Sequence, residues 1–148
     1  NERNHRIAQL LEQRWKEKLG VNLVLEAQDS KGFYDNIGKG NFQLSIGSWF
    51  ADVPDPINFL EVFKYKEAKT NGTGWEHQEY IALLDEAKCE KDEAKRKSLL
   101  KQSEAILMNE YPVIPLYFAV FTWVASPHLK GVFVSPLGFF DFRSAIKE

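Results

Sequence analysis

Helical and strand-like periodicities alternate along the first third of the chain, and this order restricts the fold more than any other feature. Apolar side chains recur every three or four positions over residues 7–19, which predicts a helix that ends at Gly20. Residues 21–25 then alternate in polarity as a strand does, and residues 41–49 repeat that alternation after a second, short helix. Helices that alternate with strands over short connections are typical of an α/β layer, in which helices cover a sheet.

The rest of the chain is predicted to be helical first and strand-like last. Beyond a turn-rich loop, the predicted elements are a short helix through residues 59–63, a helix through residues 80–87, a longer helix over residues 92–108 and strands over residues 113–124 and 131–135. The charged residues of the longer helix indicate a solvated face with i,i+4 pairs, such as Asp92 with Arg96 and Glu93 with Lys97. The second helix of the chain has Asp29 or Ser30 as its expected N-cap.

Composition and charge exclude several classes of protein. The 148 residues are 44% hydrophobic and 14% aromatic, enough for a buried core, which excludes general disorder. A net charge of -2 excludes a dedicated nucleic-acid binder, since such a protein carries a basic excess. The longest uncharged stretch, residues 111–126, contains two prolines and is shorter than the roughly 20 apolar residues of a spanning helix. We therefore expect a soluble protein, and the polar residues 1–5 indicate that it is either cytosolic or has lost an N-terminal signal.

No motif indicates a metal, a cofactor or a catalytic nucleophile. The three histidines stand far apart without a zinc-binding spacing, and the single Cys89 allows no disulfide within the chain. P-loop, dinucleotide-binding and G-x-S-x-G patterns are missing from the sequence. Ser48, His77 and Asp52 make a triad on paper, but any chain of this length offers such a set. We expect no metal, no cofactor and no catalytic residue.

One segment combines aromatic and acidic side chains at a place where α/β proteins bind ligands. The strand predicted over residues 41–49 runs into a loop that carries Trp49, Asp52 and Asp55. Asp52 is either a turn former that bonds its own backbone or a carboxylate that holds an ammonium group, with the Trp49 ring adding cation–π attraction. Asp55 precedes Pro56, which favours a helix cap. A hydrolase that uses Asp52 and Asp55 as an acid/base pair stays open as an alternative.

The order of residues in this loop is shared with a known family. Residues 49–60 read Trp-x-Ala-Asp-x-x-Asp-Pro-x-x-Phe-Leu, and this phrase resembles the C-terminal lobe of the oligopeptide-binding proteins that serve ABC transporters, the family 5 extracytoplasmic solute-binding proteins. Further similar segments occur in the same order as in the family, at residues 7–22 before this loop and at residues 95–96, 105–107, 111–117, 130–132, 136–138 and 141–142 after it. The resemblance covers nearly the whole chain. It implies an α/β, periplasmic-binding-protein-like lobe with a mixed sheet covered by helices, and residues 1–148 as one truncated domain of it.

The resemblance also assigns roles to four residues. In the family, the aspartate that matches Asp52 pairs with the N-terminal ammonium of the peptide, and the main chain around Trp49 pairs with the peptide as an added strand. Ser48 and Phe50 would make those main-chain contacts, which are blind to peptide sequence. Trp49 is interpreted either as part of a side-chain pocket wall or as plain core packing. An enzyme is not implied.

Partners and a location follow from the same resemblance. The expected partners are an oligopeptide ligand, an ABC permease in the membrane and the N-terminal lobe of the same full-length protein, with no nucleic acid. The expected location is extracytoplasmic, in the periplasm or as a cell-surface lipoprotein, with the signal absent from this segment.

Two positions depart from the family pattern. Ile46 stands where a basic residue is common, which puts a contact to the carboxylate end of the peptide in doubt, and Ser48 stands where glycine is frequent. Some relatives bind dipeptides, nickel complexes or haem, and a bare interaction module that offers exposed aromatics is a further alternative. A lobe without its partner is expected to bind peptide poorly, because half of the cleft is missing.

Overall fold

A computed structural model describes residues 2–148, in which five helices and four short strands are assigned. Their bounds are α1 Glu2–Leu19, α2 Ser30–Gly38, α3 Ile57–Leu60 with a 3-10 turn at Glu61–Phe63, α4 Gln78–Cys89, α5 Glu93–Glu110, β1 Leu129–Lys130, β2 Phe133–Val134, β3 Phe140–Asp141 and β4 Ile146–Lys147. The chain divides into two compact units, the first ending at Ser48 and the second comprising Trp49–Glu148. The assignment of residues 1–148 to one partial domain stays a prediction.

Local signals determine both helices of the first unit. α1 ends before Gly20, which takes a left-handed φ of 70°, and the N–H of Val21 donates to the carbonyl of Trp15 at 3.3 Å. The N–H of Gly20 itself donates to the carbonyl of Lys16 at 3.2 Å, which is the bond of an αL C-cap, for which glycine is the favoured residue. α2 has Asp29 as its N-cap, because the Asp29 carboxylate accepts a hydrogen bond from the N–H of Gly32 at 2.7 Å. Both predicted helices are therefore confirmed.

The strands predicted over residues 21–25 and 41–49 are wrong as paired strands. In the described part of the chain, neither segment belongs to a ladder, and Val24 and Leu44 are 90% and 60% exposed. Alternating polarity reports which face of an extended segment is apolar. A ladder also needs a second backbone alongside, and residues 2–148 supply none for these segments.

The core of the second unit is built by α3, α4 and α5. Its buried apolar residues are Ile57, Leu60, Tyr80, Leu84, Ala87, Leu99, Leu100 and Leu107. Tyr80 is fully buried, and its hydroxyl donates a hydrogen bond to the Leu60 carbonyl at 2.7 Å, which fastens α4 to α3. Burial raises the pKa of Tyr80, so the hydroxyl remains a donor throughout the physiological range. His77 is the N-cap of α4 and Asp92 the N-cap of α5; their side chains accept hydrogen bonds from the N–H groups of Tyr80 and Lys95, and both predicted helices are confirmed.

Short antiparallel pairs complete the second unit. β1 pairs with β4 and β2 with β3, so the ladders of residues 2–148 are two-stranded where a mixed sheet was expected. β2 confirms the strand predicted within residues 131–135, whereas residues 113–124 join no ladder in the described chain and leave Val124 99% exposed. Gly131, between β1 and β2, has a φ of +72°, and a Cβ there would lie 2.1 Å from the Ser144 carbonyl oxygen. Only glycine fits this crossing of two backbones.

Candidate functional site

The loop of residues 49–56, called the site loop below, leads into α3 and carries most of the predicted ligand-binding residues. Trp49 and Phe50 are 38% and 54% exposed, and Asp52 is exposed as well. Ser48, the last residue of the first unit, is also exposed. Trp49 lies outside the buried core cluster of the second unit, so its indole is available at the surface.

The Asp52 carboxylate is free of internal partners. Among residues 2–148, no hydrogen bond or ion pair involves its side-chain oxygens. The alternative in which Asp52 closes a turn by bonding its own backbone is therefore not what the structure contains. The negative charge of the Asp52 carboxylate is therefore available to a group outside the described chain.

Asn58 closes this turn instead. Its Oδ1 accepts a hydrogen bond from the indole Nε1 of Trp49 at 3.0 Å and another from the backbone N of Asp52 at 3.1 Å. Asn58 lies in α3 directly after Ile57, a member of the buried core. The two bonds therefore tie the site loop to a helix that the core holds in place.

Asp55 has a structural task. Its Oδ1 accepts a hydrogen bond from the N–H of Ile57 at 3.0 Å, and Nη2 of Arg96 lies 3.1 and 2.9 Å from the two carboxylate oxygens. The backbone bond from Ile57 and the Arg96 guanidinium together lower the pKa of Asp55. The predicted role at the start of this helix is confirmed, although Pro56 occupies the N-cap, one residue later than expected.

Arg96 does not form the predicted pair with Asp92. It reaches Asp55, and its Nε donates to the carbonyl of Ala87 at 3.1 Å, so it joins the site loop to the ends of α4 and α5. Asp92 instead accepts from the N–H of Lys95 as the cap of α5. The expected pair of Glu93 with Lys97 is also missing among the described residues. Arg96 and Asn58 are the residues that the sequence did not identify, and helical spacing offers no signal for a partner 41 positions away.

Asp52 and Asp55 differ in their bonding partners and therefore in the chemistry that each can perform. Asp55 stays ionised and engaged with Arg96, so it does not hold the proton that a general acid needs. Asp52 carries an exposed carboxylate, and its backbone N shares the Asn58 acceptor with the partly exposed indole of Trp49, so the loop offers both a negative charge and an aromatic ring to a cation. Within residues 2–148, no three side chains of His, Cys, Asp or Glu gather as metal ligands.

No helix in the described range is both long and apolar enough to cross a bilayer.

Replacing Arg96 with methionine is expected to lower the free energy of unfolding by about 1 kcal/mol at neutral pH, since the paired side chains are 28% and 33% exposed. The pKa of Asp55 is lowered in the fold, so its contribution is present above the pKa of the unfolded chain and is lost as pH falls through the folded pKa. The deficit of Arg96→Met should therefore shrink on acidification.

Urea denaturation of the 148-residue chain, from pH 7 down to about pH 2, measures both effects. The control is Lys97→Met, which removes an exposed charge of α5 that has no partner in the described chain. An equal loss of stability in both variants would show that the Arg96 ion pair contributes nothing.

Comparison with known sequences identifies what the chain resembles. The sequence model of the bacterial extracellular solute-binding proteins, family 5 (Middle), matches residues 1–71. The oligopeptide-binding protein OppA of Bacillus subtilis (strain 168) is 40% identical over 140 residues, which make up 95% of this chain and 26% of that protein. The chain thus spans about a quarter of the length of this curated relative.

Solved structures show the same fold. MppA, a periplasmic murein tripeptide binding protein in its unliganded open form, is similar with a TM-score of 0.72 and 28% identity over 76% of this chain and 22% of that one. The pheromone receptor PrgZ, whose structure and mode of peptide binding are known, gives a TM-score of 0.75 and 25% identity over 97% of this chain and 27% of that one. These likenesses confirm the predicted α/β fold class, that of periplasmic binding proteins.

Proposed function

The chain belongs to the bacterial extracellular solute-binding proteins of family 5, and on this premise we propose that it forms part of an extracytoplasmic receptor for oligopeptides. OppA is an oligopeptide-binding protein, MppA a murein tripeptide binding protein and PrgZ a pheromone receptor with a known mode of peptide binding, which supports this class of ligand. The observation that carries the proposal is the Asp52 carboxylate, which is exposed and has no partner among residues 2–148.

Asp52 binds the N-terminal ammonium of the peptide in this proposal. A carboxylate accepts charge-assisted hydrogen bonds from an ammonium group, and these are about twice as strong as neutral ones. The exposed ring of Trp49 adds attraction for the same cation and forms part of a side-chain pocket wall. The free α-amino group is common to all linear peptides, so this contact selects peptides as a class.

The main chain beside Trp49 provides the second set of contacts. Within residues 2–148, the backbone N–H groups of Ser48 and Phe50 have no acceptor, and the backbone around them is in no ladder. An extended peptide can pair with such a segment as an added strand, whatever its side chains are. The Phe50 ring packs against Phe121 with 5.5 Å between centroids, which holds this side chain on the second unit.

The complete receptor would have two lobes that close on the peptide, with this chain in the C-terminal one. Closure about a hinge between the lobes would present the loaded receptor to an ABC permease in the membrane. The receptor would act in the periplasm or as a lipoprotein at the cell surface. The 148-residue chain alone is then expected to bind peptide weakly, since it offers one side of the cleft.

Alternative ligands of the family, namely dipeptides, nickel complexes or haem, remain rivals to an oligopeptide. A free carboxylate suits an amine better than it suits the carboxylate groups of haem, because like charges repel. The hydrolase alternative with Asp52 and Asp55 loses support, because Asp55 is bound by Arg96. The interaction-module alternative requires that Asp52 be dispensable.

The test is a calorimetric titration of the protein encoded by the complete reading frame with a tetrapeptide and with its N-acetylated form. Acetylation removes the ammonium charge and leaves the Asp52 carboxylate covered without a partner. We expect the acetylated peptide to bind about 100-fold more weakly. A C-terminally amidated peptide should bind like the unmodified one, because Ile46 offers no charge to the carboxylate end.

Equal affinities for the free and acetylated peptides would contradict the proposal. Mass spectrometry of the same mixtures tests the hydrolase alternative, which requires cleaved peptide in the wild-type sample and intact peptide in a sample of Asp52→Asn.

A further inference from the structure

We infer that Asn58 is a positioning residue of the proposed ammonium site, an inference that rests on the proposed function. One atom, Oδ1 of Asn58, accepts hydrogen bonds from Nε1 of Trp49 at 3.0 Å and from the backbone N of Asp52 at 3.1 Å. Both neighbours can only donate, so the atom that faces them is the amide oxygen. The Trp49 ring and the Asp52 backbone are thus both hydrogen-bonded to the same atom, Oδ1 of Asn58.

Asn58 is held in place by the buried core of the second unit. Asn58 follows Ile57 in α3, and Ile57 and Leu60 are 9% and 8% exposed within the buried cluster. The N–H of Asn58 also donates to the carbonyl of Asp55 at 3.1 Å, and the Asp55 carboxylate is bound by Arg96. Asn58 therefore sits between the site loop and the packed helices.

The free carboxylate makes this position matter. The Asp52 side chain has no partner among residues 2–148, so its place is set through its own backbone, and Asn58 supplies the bond to that backbone. A charge-assisted hydrogen bond to an ammonium needs a short distance and a favourable angle. Movement of the loop by an ångström would weaken the contact without removing the charge.

Loss of the Asn58 acceptor should affect the position of the Asp52 carboxylate more than the stability of the fold. Trp49 is 38% exposed and Asp52 is exposed, so water can take over both hydrogen bonds when the side chain is changed. A purely structural role would instead lower stability and leave the preference for a free amine intact. The two roles are therefore distinguishable by measurement.

The experiment compares Asn58→Leu, which has similar size and no acceptor, with Asn58→Asp, which keeps an oxygen in the same place. Asn109→Leu is the control, since Asn109 is exposed on α5 and has no partner in the described chain. The first readout is the indole N–H resonance of Trp49 in the 15N-labelled chain, assigned with Trp49→Phe. It should move to the position of a solvent-exposed indole in Asn58→Leu and stay in place in Asn58→Asp and Asn109→Leu.

The second readout is the preference of the full-length receptor for a free over an N-acetylated tetrapeptide. We expect this preference to fall about tenfold in Asn58→Leu and to be kept in Asn58→Asp. Should Asn58→Leu fail to fold by circular dichroism, Asn58→Ala takes its place, and loss of the preference in a folded Asn58→Asp would equally overturn the inference.

Asp52→Asn, measured alongside, distinguishes failure of the positioning role of Asn58 from failure of the proposed function. If Asp52→Asn abolishes the preference and Asn58→Leu keeps it, the positioning role is wrong and the proposed function stands. If Asp52→Asn also keeps the preference, the proposed function is wrong and the role of Asn58 falls with it. An unmoved indole resonance in Asn58→Leu overturns the inference without any ligand.

Discussion

Asp52→Asn will reduce the affinity of the full-length receptor for a peptide with a free N-terminus by about 100-fold, or about 3 kcal/mol. Asparagine keeps the size of the side chain and removes the charge that an ammonium requires. Because the Asp52 carboxylate has no internal partner in residues 2–148, the exchange removes no bond of the fold, and stability should stay unchanged. Isothermal titration and thermal denaturation of the same samples measure the two quantities.

The N-acetylated peptide makes this a double-mutant cycle. Acetylation of the ligand and Asp52→Asn in the protein should each cost about as much as both together, because both remove the same contact. The matched protein control is Glu104→Gln, which neutralises an exposed carboxylate of α5. Additive losses in the cycle, or an equal loss in Glu104→Gln, would show that Asp52 does not bind the amine.

Leu84→Ala is expected to lower the free energy of unfolding of the chain by about 3 kcal/mol, through lost burial and a residual cavity. Leu84 is fully buried on α4 and belongs to the cluster that joins α3, α4 and α5. Because α3 also carries Asn58, the same change should loosen the attachment of the site loop. Urea denaturation followed by circular dichroism measures the stability.

Leu116→Ala is the matched control, since Leu116 belongs to the same unit and is 47% exposed. It should change the stability by less than about 0.5 kcal/mol. If both leucines cost the same, the helices α3, α4 and α5 do not form the stabilising core of this chain.

Helices were predictable from the sequence because their signals are local. Gly20 ends α1, and Asp29 and Asp92 cap α2 and α5, each through bonds to residues within one or two turns. Strands were predictable only in part: β2 lies within a predicted strand, whereas residues 21–25 and 113–124 show the composition of strands without a neighbour in the described chain. Pairing is a property of two segments, and the periodicity of one segment does not contain it.

The candidate site was also predictable only where its residues are close together in the sequence. Trp49, Asp52 and Asp55 stand together in sequence, so their loop and the capping role of Asp55 could be predicted. Asn58 and Arg96 could not, because their tasks depend on how α3 and α5 pack. The charged run of α5 resembles an ordinary solvated face, and one of its arginines is nevertheless a partner of the site loop.

The apolar residues 113–124 will dominate the colloidal behaviour of the purified chain. Their backbone is in no ladder of the described structure, and Phe118 and Val124 are 97% and 99% exposed. Unpaired backbone groups beside apolar side chains promote self-association between molecules. A net charge of -2 and an isoelectric point near 6.0 provide little repulsion against it. Dilute samples kept well above that pH are therefore the conditions in which the 148-residue chain should stay monomeric.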